Sequence, residues 1–214
     1  MTKNTKMVVT ILSAYVALFL TAIFAAAFGV LEEDAAIDAY VDYGGIVISG
    51  VLFVTACVLY REEIRAGLKA YPALRFLLLV VGFCALACIS DTLCFTLLPI
   101  SEMTENEALI AESISRFPLG AYLEIILLAP VVEEVLFRHI LQGWLKKIIP
   151  VYSTVLAVLL SSALFGFCHV LGLSLEIVPY LLFGLILGVV YERTGNLALV
   201  MGIHMANNLV SCIW

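Results

Sequence analysis

The chain has 214 residues, of which 64% are hydrophobic and only 13% charged, with a mean hydropathy of +1.13. Soluble domains carry roughly 45–50% apolar and 25% charged residues, so a water-soluble globular enzyme is excluded. A disordered chain is excluded too, because it needs low hydrophobicity and high net charge. The formal net charge of −6 argues against a nucleic-acid partner, which would require a basic stripe.

A helix needs about 20 apolar residues to cross a bilayer core. Seven runs of that kind occur, over 7–30, 44–60, 76–100, 119–143, 151–172, 174–191 and 197–213. The first is too long for the apolar region of a cleaved signal peptide and is expected to remain as a span. The expected fold is all-α: one membrane domain over 1–214, a polytopic bundle of about seven to eight transmembrane helices in the lipid bilayer.

Basic residues accumulate in short cytoplasmic loops. Lys3, Lys6, Arg61, Arg65, Lys69, Arg75, Lys146, Lys147 and Arg193 fall on one side of the alternating spans, whereas Glu32, Glu33, Asp34, Asp38, Asp42, Glu102, Glu105, Glu107 and Glu112 fall on the other, joined there by Arg116 alone of the basic residues, with Arg138 inside a span. This predicts a cytoplasmic N-terminus and, for seven spans, an external C-terminus; an eighth span would reverse the C-terminal half. The small size and lack of soluble elaboration point to a bacterial plasma membrane.

Between the third and fourth runs, 104–117 is too short and too polar to span. Thr104 and Glu107 have the spacing of a capping box, and Ile110, Ile114 and Phe117 share one helical face. The expectation is a short amphipathic helix at the surface, either packed on the bundle or covering a site. The six cysteines all lie in apolar runs, where thiols act as small hydrophobes, and no disulfide framework is suggested. Gly184 and Gly188 have a spacing that allows close helix approach.

Ionisable groups inside a bilayer are expensive and are functional candidates by default. Glu133, Glu134 and Arg138 lie in the fourth run, His169 near the end of the fifth, and His204, Asn207 and Asn208 in the seventh. Glu134 and Arg138 are four apart with the carboxylate first, the favourable order for an ion pair on one helix face. Glu133 is about 100° away around the helix and free to face a cavity. Pro130 lacks an amide hydrogen, so a helix start or kink is expected close by. His204 and Asn208 are also four apart and could donate to one oxygen atom. One carboxylate, two histidines and an amide supply a base, a proton shuttle and oxyanion donors, the inventory of a hydrolase. Asp91 and Glu124 have no evident partner in the sequence. Straight helices rising 1.5 Å per residue would put His169 near the outer edge and Glu133 near mid-bilayer, so their meeting requires a kink at Pro130 or a deeper fifth helix.

Glu133-Glu134-x-x-x-Arg138, Phe165-x-x-x-His169 and His204-x-x-x-Asn208, in this order on membrane helices, resemble the three motifs of the CPBP family. These are the CAAX-processing and bacteriocin-processing intramembrane endopeptidases. The turn Thr194-Gly195-Asn196-Leu197 is similar as well, and the resemblance covers about 118–213, the expected catalytic core. His139 departs from the pattern, since glycine commonly follows the arginine. The resemblance implies an enzyme that hydrolyses a peptide bond of a membrane-associated peptide or protein. Glu133 with His169 would activate water, His204 and Asn208 would stabilise the oxyanion, and Glu134 with Arg138 would organise the site, supported by Phe165. No cofactor is expected; the alternative is zinc on Glu133, His169 and His204, a two-histidine, one-carboxylate set. Two other classes stand beside the protease: a non-catalytic immunity or scaffold protein of the same family, and a proton-coupled transporter, against which stands the lack of an inverted repeat.

Overall fold

A computed structural model describes residues 35–100, 103–170 and 174–213, and every regular element among them is helical. The predicted span 7–30 lies outside the described residues. Helix α1 (Ala35–Leu59) is followed at Tyr60 by α2 (Arg61–Lys69), with a bend of 70° between them. Helix α3 (Ala73–Leu97) opens directly after Pro72 and α4 (Glu105–Arg116) after Thr104. Helix α5 runs from Pro118 to Ile148 without a break in helical backbone angles, but includes two π-helical segments, Glu124–Leu128 and Glu134–Gln142. Three further helices complete the bundle: α6 (Ser153–His169), α7 (Ile177–Thr194) and α8 (Leu197–Ile213).

The apolar runs that the structure describes each became a helix, with bounds displaced by five residues or fewer except at α1, which begins nine residues before its run and takes in Asp38 and Asp42, expected in an external segment. Helix α2 was not expected, because its polar sequence reads as a loop. Its signal is modest: Glu62 and Glu63 in the first turn and Lys69 in the last complement the helix dipole. The expected count of seven to eight spans is not confirmed. Among the described residues, α3 and α7 are each long and apolar enough to cross a bilayer, and α1 with α2 adds a third if the bent pair counts as one span. Helices α6 and α8 have 17 residues each, about 25 Å at 1.5 Å per residue, against a hydrocarbon core of roughly 30 Å. Exposed apolar side chains lie along α1, α3 and α6, among them Val51, Val54, Leu77, Leu78, Val155 and Leu159, as expected of faces turned to lipid in an integral membrane protein.

Helix α8 is the centre of the bundle, with Leu197 to Met201, Ile203, His204 and Asn207 all buried. It packs against α2, α3, α5 and α7, while α7 lies along α6. The glycines explain that close approach: a Cβ on Gly184 would meet the Ser162 Cα at 3.2 Å, and one on Gly188 would meet Val158 Cγ1 at 3.1 Å. The α7–α8 turn is set by Gly195, whose φ of 61° lies in the left-handed region that favours glycine. Asn196 then caps α8, accepting the Leu199 N–H at 2.9 Å, and donates to the Gly67 carbonyl at 2.9 Å, tying α2 to the bundle.

This antiparallel course sorts charge by end. Arg61, Arg65, Lys69, Arg75, Lys146, Lys147 and Arg193 flank helix termini at one end, and Lys146 pairs with Glu192 there. Helix α4, the start of α5, the end of α6 and the start of α7 lie at the other end. His139 belongs to the basic end, where its Nδ1 lies 2.8 Å from the Tyr191 hydroxyl and its ring meets Tyr60 edge-on. Two tyrosines thus fill the place around the residue that departs from the family pattern.

Candidate active site

The local chemistry of α5 begins at Pro130. In the π-helical segment before it, the Ala129 N–H reaches back five residues to the Glu124 carbonyl. The next donor in that register would be residue 130, which as proline has none. The Ile125 carbonyl therefore lacks its backbone donor, and the Asn208 side-chain amide supplies one from α8 at 2.9 Å. One turn later Glu133 and Glu134 sit side by side at the start of the second π segment. Such segments are rare and occur often at functional sites.

Glu134 and Arg138 form the expected pair, with Nε to Oε2 at 3.1 Å and both side chains fully buried. The other Glu134 oxygen accepts a hydrogen bond from His204 Nδ1 at 2.9 Å. Arg138 also lies over the Phe165 ring, 5.0 Å from its centroid, in a cation–π contact. Its two terminal nitrogens have no partner among the described residues. Phe165 is the hub of this cluster: its ring also packs on His169 at 4.4 Å and meets His204 at 5.9 Å. Its carbonyl accepts from His169 Nδ1 at 2.8 Å.

These contacts assign the imidazole nitrogens. A carboxylate and a carbonyl can only accept, so each Nδ1 carries a proton, and in the neutral ring each Nε2 presents a lone pair. Both Nε2 atoms turn to Glu133: Oε2 lies 3.8 Å from that of His204 and 3.9 Å from that of His169. Oε2 is buried without a hydrogen-bond partner among the described residues. Separations of this size are too long for direct hydrogen bonds but suit a bridging water. The depth conflict between His169 and Glu133 disappears because α5 runs on to Ile148 and α6 begins at Ser153, so that each residue lies about 23 Å along its helix from the basic end.

Glu133, Phe165, His169, His204 and Asn208 line one cavity of about 790 Å³, with Asn207, Asp91 and Glu124 also in its wall. Ile110 and Ile114 line it from α4, whose capping box is formed: Thr104 Oγ1 accepts from Glu107 N, and Glu107 Oε2 accepts from Thr104 N. The amphipathic helix is therefore both packed on the bundle and a wall of the site. Asn208 reaches the cavity, yet one donor of its amide is engaged by Ile125. Glu133, His169 and His204 are apt donors for zinc, but no three His, Cys, Asp or Glu side chains among the described residues gather at metal-ligand spacing.

One wall residue, Tyr180, has no counterpart among the sequence candidates, and Asn207 is a candidate to which no role was assigned. Tyr180 stacks on His169 with centroids 4.9 Å apart and planes 18° from parallel, and its hydroxyl meets Thr104 Oγ1 at 2.9 Å. This links α4 to the imidazole. Asn207 sits beside the expected Asn208, with its Oδ1 buried and unpartnered. Nothing in the sequence singles out Tyr180 among nine tyrosines. Asn207 carries a weak signal as a second amide in an apolar helix.

The family model described as type II CAAX prenyl endopeptidase, Rce1-like, matches residues 115–210, a stretch that includes all three motifs and the helices bearing them. No curated protein and no solved structure matches the chain. The match bears out the resemblance read from Glu133, His169 and His204 with their spaced partners. The segment 115–210, from the last turn of α4 to the last turn of α8, is thus similar to the Rce1-like type II CAAX prenyl endopeptidases.

Proposed function

We propose that this protein is an intramembrane endopeptidase that hydrolyses a peptide bond of a membrane-associated peptide or protein. One observation carries the reading. Glu133 Oε2, buried and unpartnered, faces two imidazole nitrogens at 3.8 and 3.9 Å within a cavity large enough for a peptide segment. A carboxylate opposite two lone pairs favours whatever shares a proton with it, and a water held there would be polarised for attack.

In this reading Glu133 takes the proton of the attacking water while His169, its Nδ1 tied to the Phe165 carbonyl, keeps Nε2 directed at the same water. His204, protonated at Nε2 from solvent before the attack, donates to the developing oxyanion, and Glu133 passes the proton it took from water to the leaving amine as the C–N bond breaks. Glu134 favours that imidazolium through Nδ1, much as a buried carboxylate supports the histidine of a serine protease. Arg138 neutralises Glu134 and, with Phe165, holds its position. Asn208 contributes the second N–H of its amide. A zinc ion in this site would be held by Glu133, His169 and His204 and would acidify a bound water; the hydrogen-bonded roles above require none.

The basic end of the bundle belongs in the cytoplasm by the distribution of Lys and Arg, which places the cavity mouth on the opposite face and the N-terminus inside. A cysteine introduced at Glu112 should react with an impermeant maleimide in intact cells; labelling only after permeabilisation would reverse the orientation.

The reading is tested with the purified full-length protein in lipid vesicles, incubated with a library of N-acylated peptides and followed by mass spectrometry. Peptide cleavage that persists in a zinc chelator is expected. Cleavage abolished by the chelator and restored by zinc would replace the metal-free mechanism, and uptake of intact peptide without cleavage would favour a transporter.

A further inference from the structure

We propose that the cavity selects a cationic peptide segment, one with lysine or arginine close to the scissile bond; this deepens the protease reading and rests on it. Four helix-borne carboxylates line the cavity, Asp91 from α3, Glu107 from α4, and Glu124 and Glu133 from α5, and no Lys or Arg is in its lining among the described residues. The cation nearest in sequence, Arg116, lies outside the lining and pairs with Glu112 at 3.2 Å. Arg138 is spent on Glu134. Asp91 forms no ion pair among the described residues.

These carboxylates are placed rather than scattered. Glu124 accepts from the Ser49 hydroxyl at 2.7 Å across the α1–α5 contact, and Glu107 is held by the capping box. Like charges gathered in one cavity between helices repel one another, and a ligand cation relieves that repulsion while a ligand anion adds to it.

A second observation points to a ligand in the same place. Asn207 is 8% exposed, lines the cavity, and its Oδ1 is buried with no donor among the described residues. A buried acceptor of this kind is satisfied by an N–H, which a peptide backbone or a basic side chain provides. The cavity volume of about 790 Å³ matches a short extended segment, not a folded domain. Ile110, Ile114 and Phe183 in the wall supply apolar surface for the neighbouring residues.

The test measures binding apart from cleavage. Full-length protein in phosphatidylcholine nanodiscs is titrated with three fluorescent N-palmitoyl octapeptides, identical except that two positions are both Lys, both Gln or both Glu. The Lys peptide should bind about tenfold tighter than the Gln peptide at low salt, with the preference shrinking as salt rises. In Asp91→Asn/Glu124→Gln, where glutamine can still accept from Ser49, the preference should fall to about threefold or less; Asp91→Asn alone serves if the pair does not fold. Glu112→Gln, outside the cavity, should leave it unchanged. Equal affinities in the wild type, or a preference that survives the cavity substitutions, would overturn the proposal. Equal binding with intact cleavage would sink charge selection but not the protease, and selective binding without any cleavage would do the reverse.

Discussion

Arg138→Ala is expected to destabilise the protein by about 3–5 kcal/mol, the range for leaving one member of a buried ion pair uncompensated. Glu134 is fully buried, so the stranded charge cannot turn to water. It would take a proton or draw the imidazole of His204 toward it, and either response disturbs the site. The loss also removes the cation from over Phe165 and leaves a void beside a ring that is 1% exposed. Replacing both partners, Glu134→Gln with Arg138→Met, should cost clearly less than Arg138→Ala, because no charge is then stranded and glutamine still accepts from His204. Unfolding in a detergent titration measures the difference. A double variant as unstable as the single one would mean that the pair is not coupled as its geometry indicates.

Glu133→Gln should have the opposite profile, with stability kept and catalysis lost. Glutamine has nearly the same shape as glutamate, and its amide can donate toward either Nε2 atom, where the carboxylate has only acceptors to offer. The fold should therefore be as stable as the wild type or slightly more so. Removing the base is expected to lower kcat by about 10²–10⁴-fold with little change in KM, as for an interaction made mainly in the transition state. His169→Ala should lower kcat as well but also loosen Tyr180, and with it the N-terminus of α4, so a rise in KM is expected to accompany it.

The parts of this site that were legible in the sequence are those fixed within one helix. Glu134 with Arg138, Thr104 with Glu107, and the opposed facing of Glu133 all follow from spacing along a single element, because helical geometry is local. Contacts between helices were not legible. Asp91 and Glu124 stayed unexplained until α3 and α5 were brought around one cavity and Ser49 of α1 was placed on Glu124, and Tyr180 has no mark in the sequence at all. Asn208 is an intermediate case. Its presence in the site follows from the motif, but its bond to Ile125 depends on a π-helical register upstream of Pro130 that periodicity does not reveal. The short α2 was missed because nine residues with a polar face resemble a loop. The number of spans is not confirmed among the described residues, since apolar runs do not show where a helix bends or changes register.

The account stands on Glu133 acting as the base of a peptide hydrolysis. The most direct test compares the peptide termini of membranes from cells carrying the wild-type protein with those from cells carrying Glu133→Gln at equal abundance. A set of new termini, from membrane-associated substrates, is expected with the wild type and not with the variant. Identical termini in the two samples, or the same cleavage products with Glu133→Gln, would contradict it.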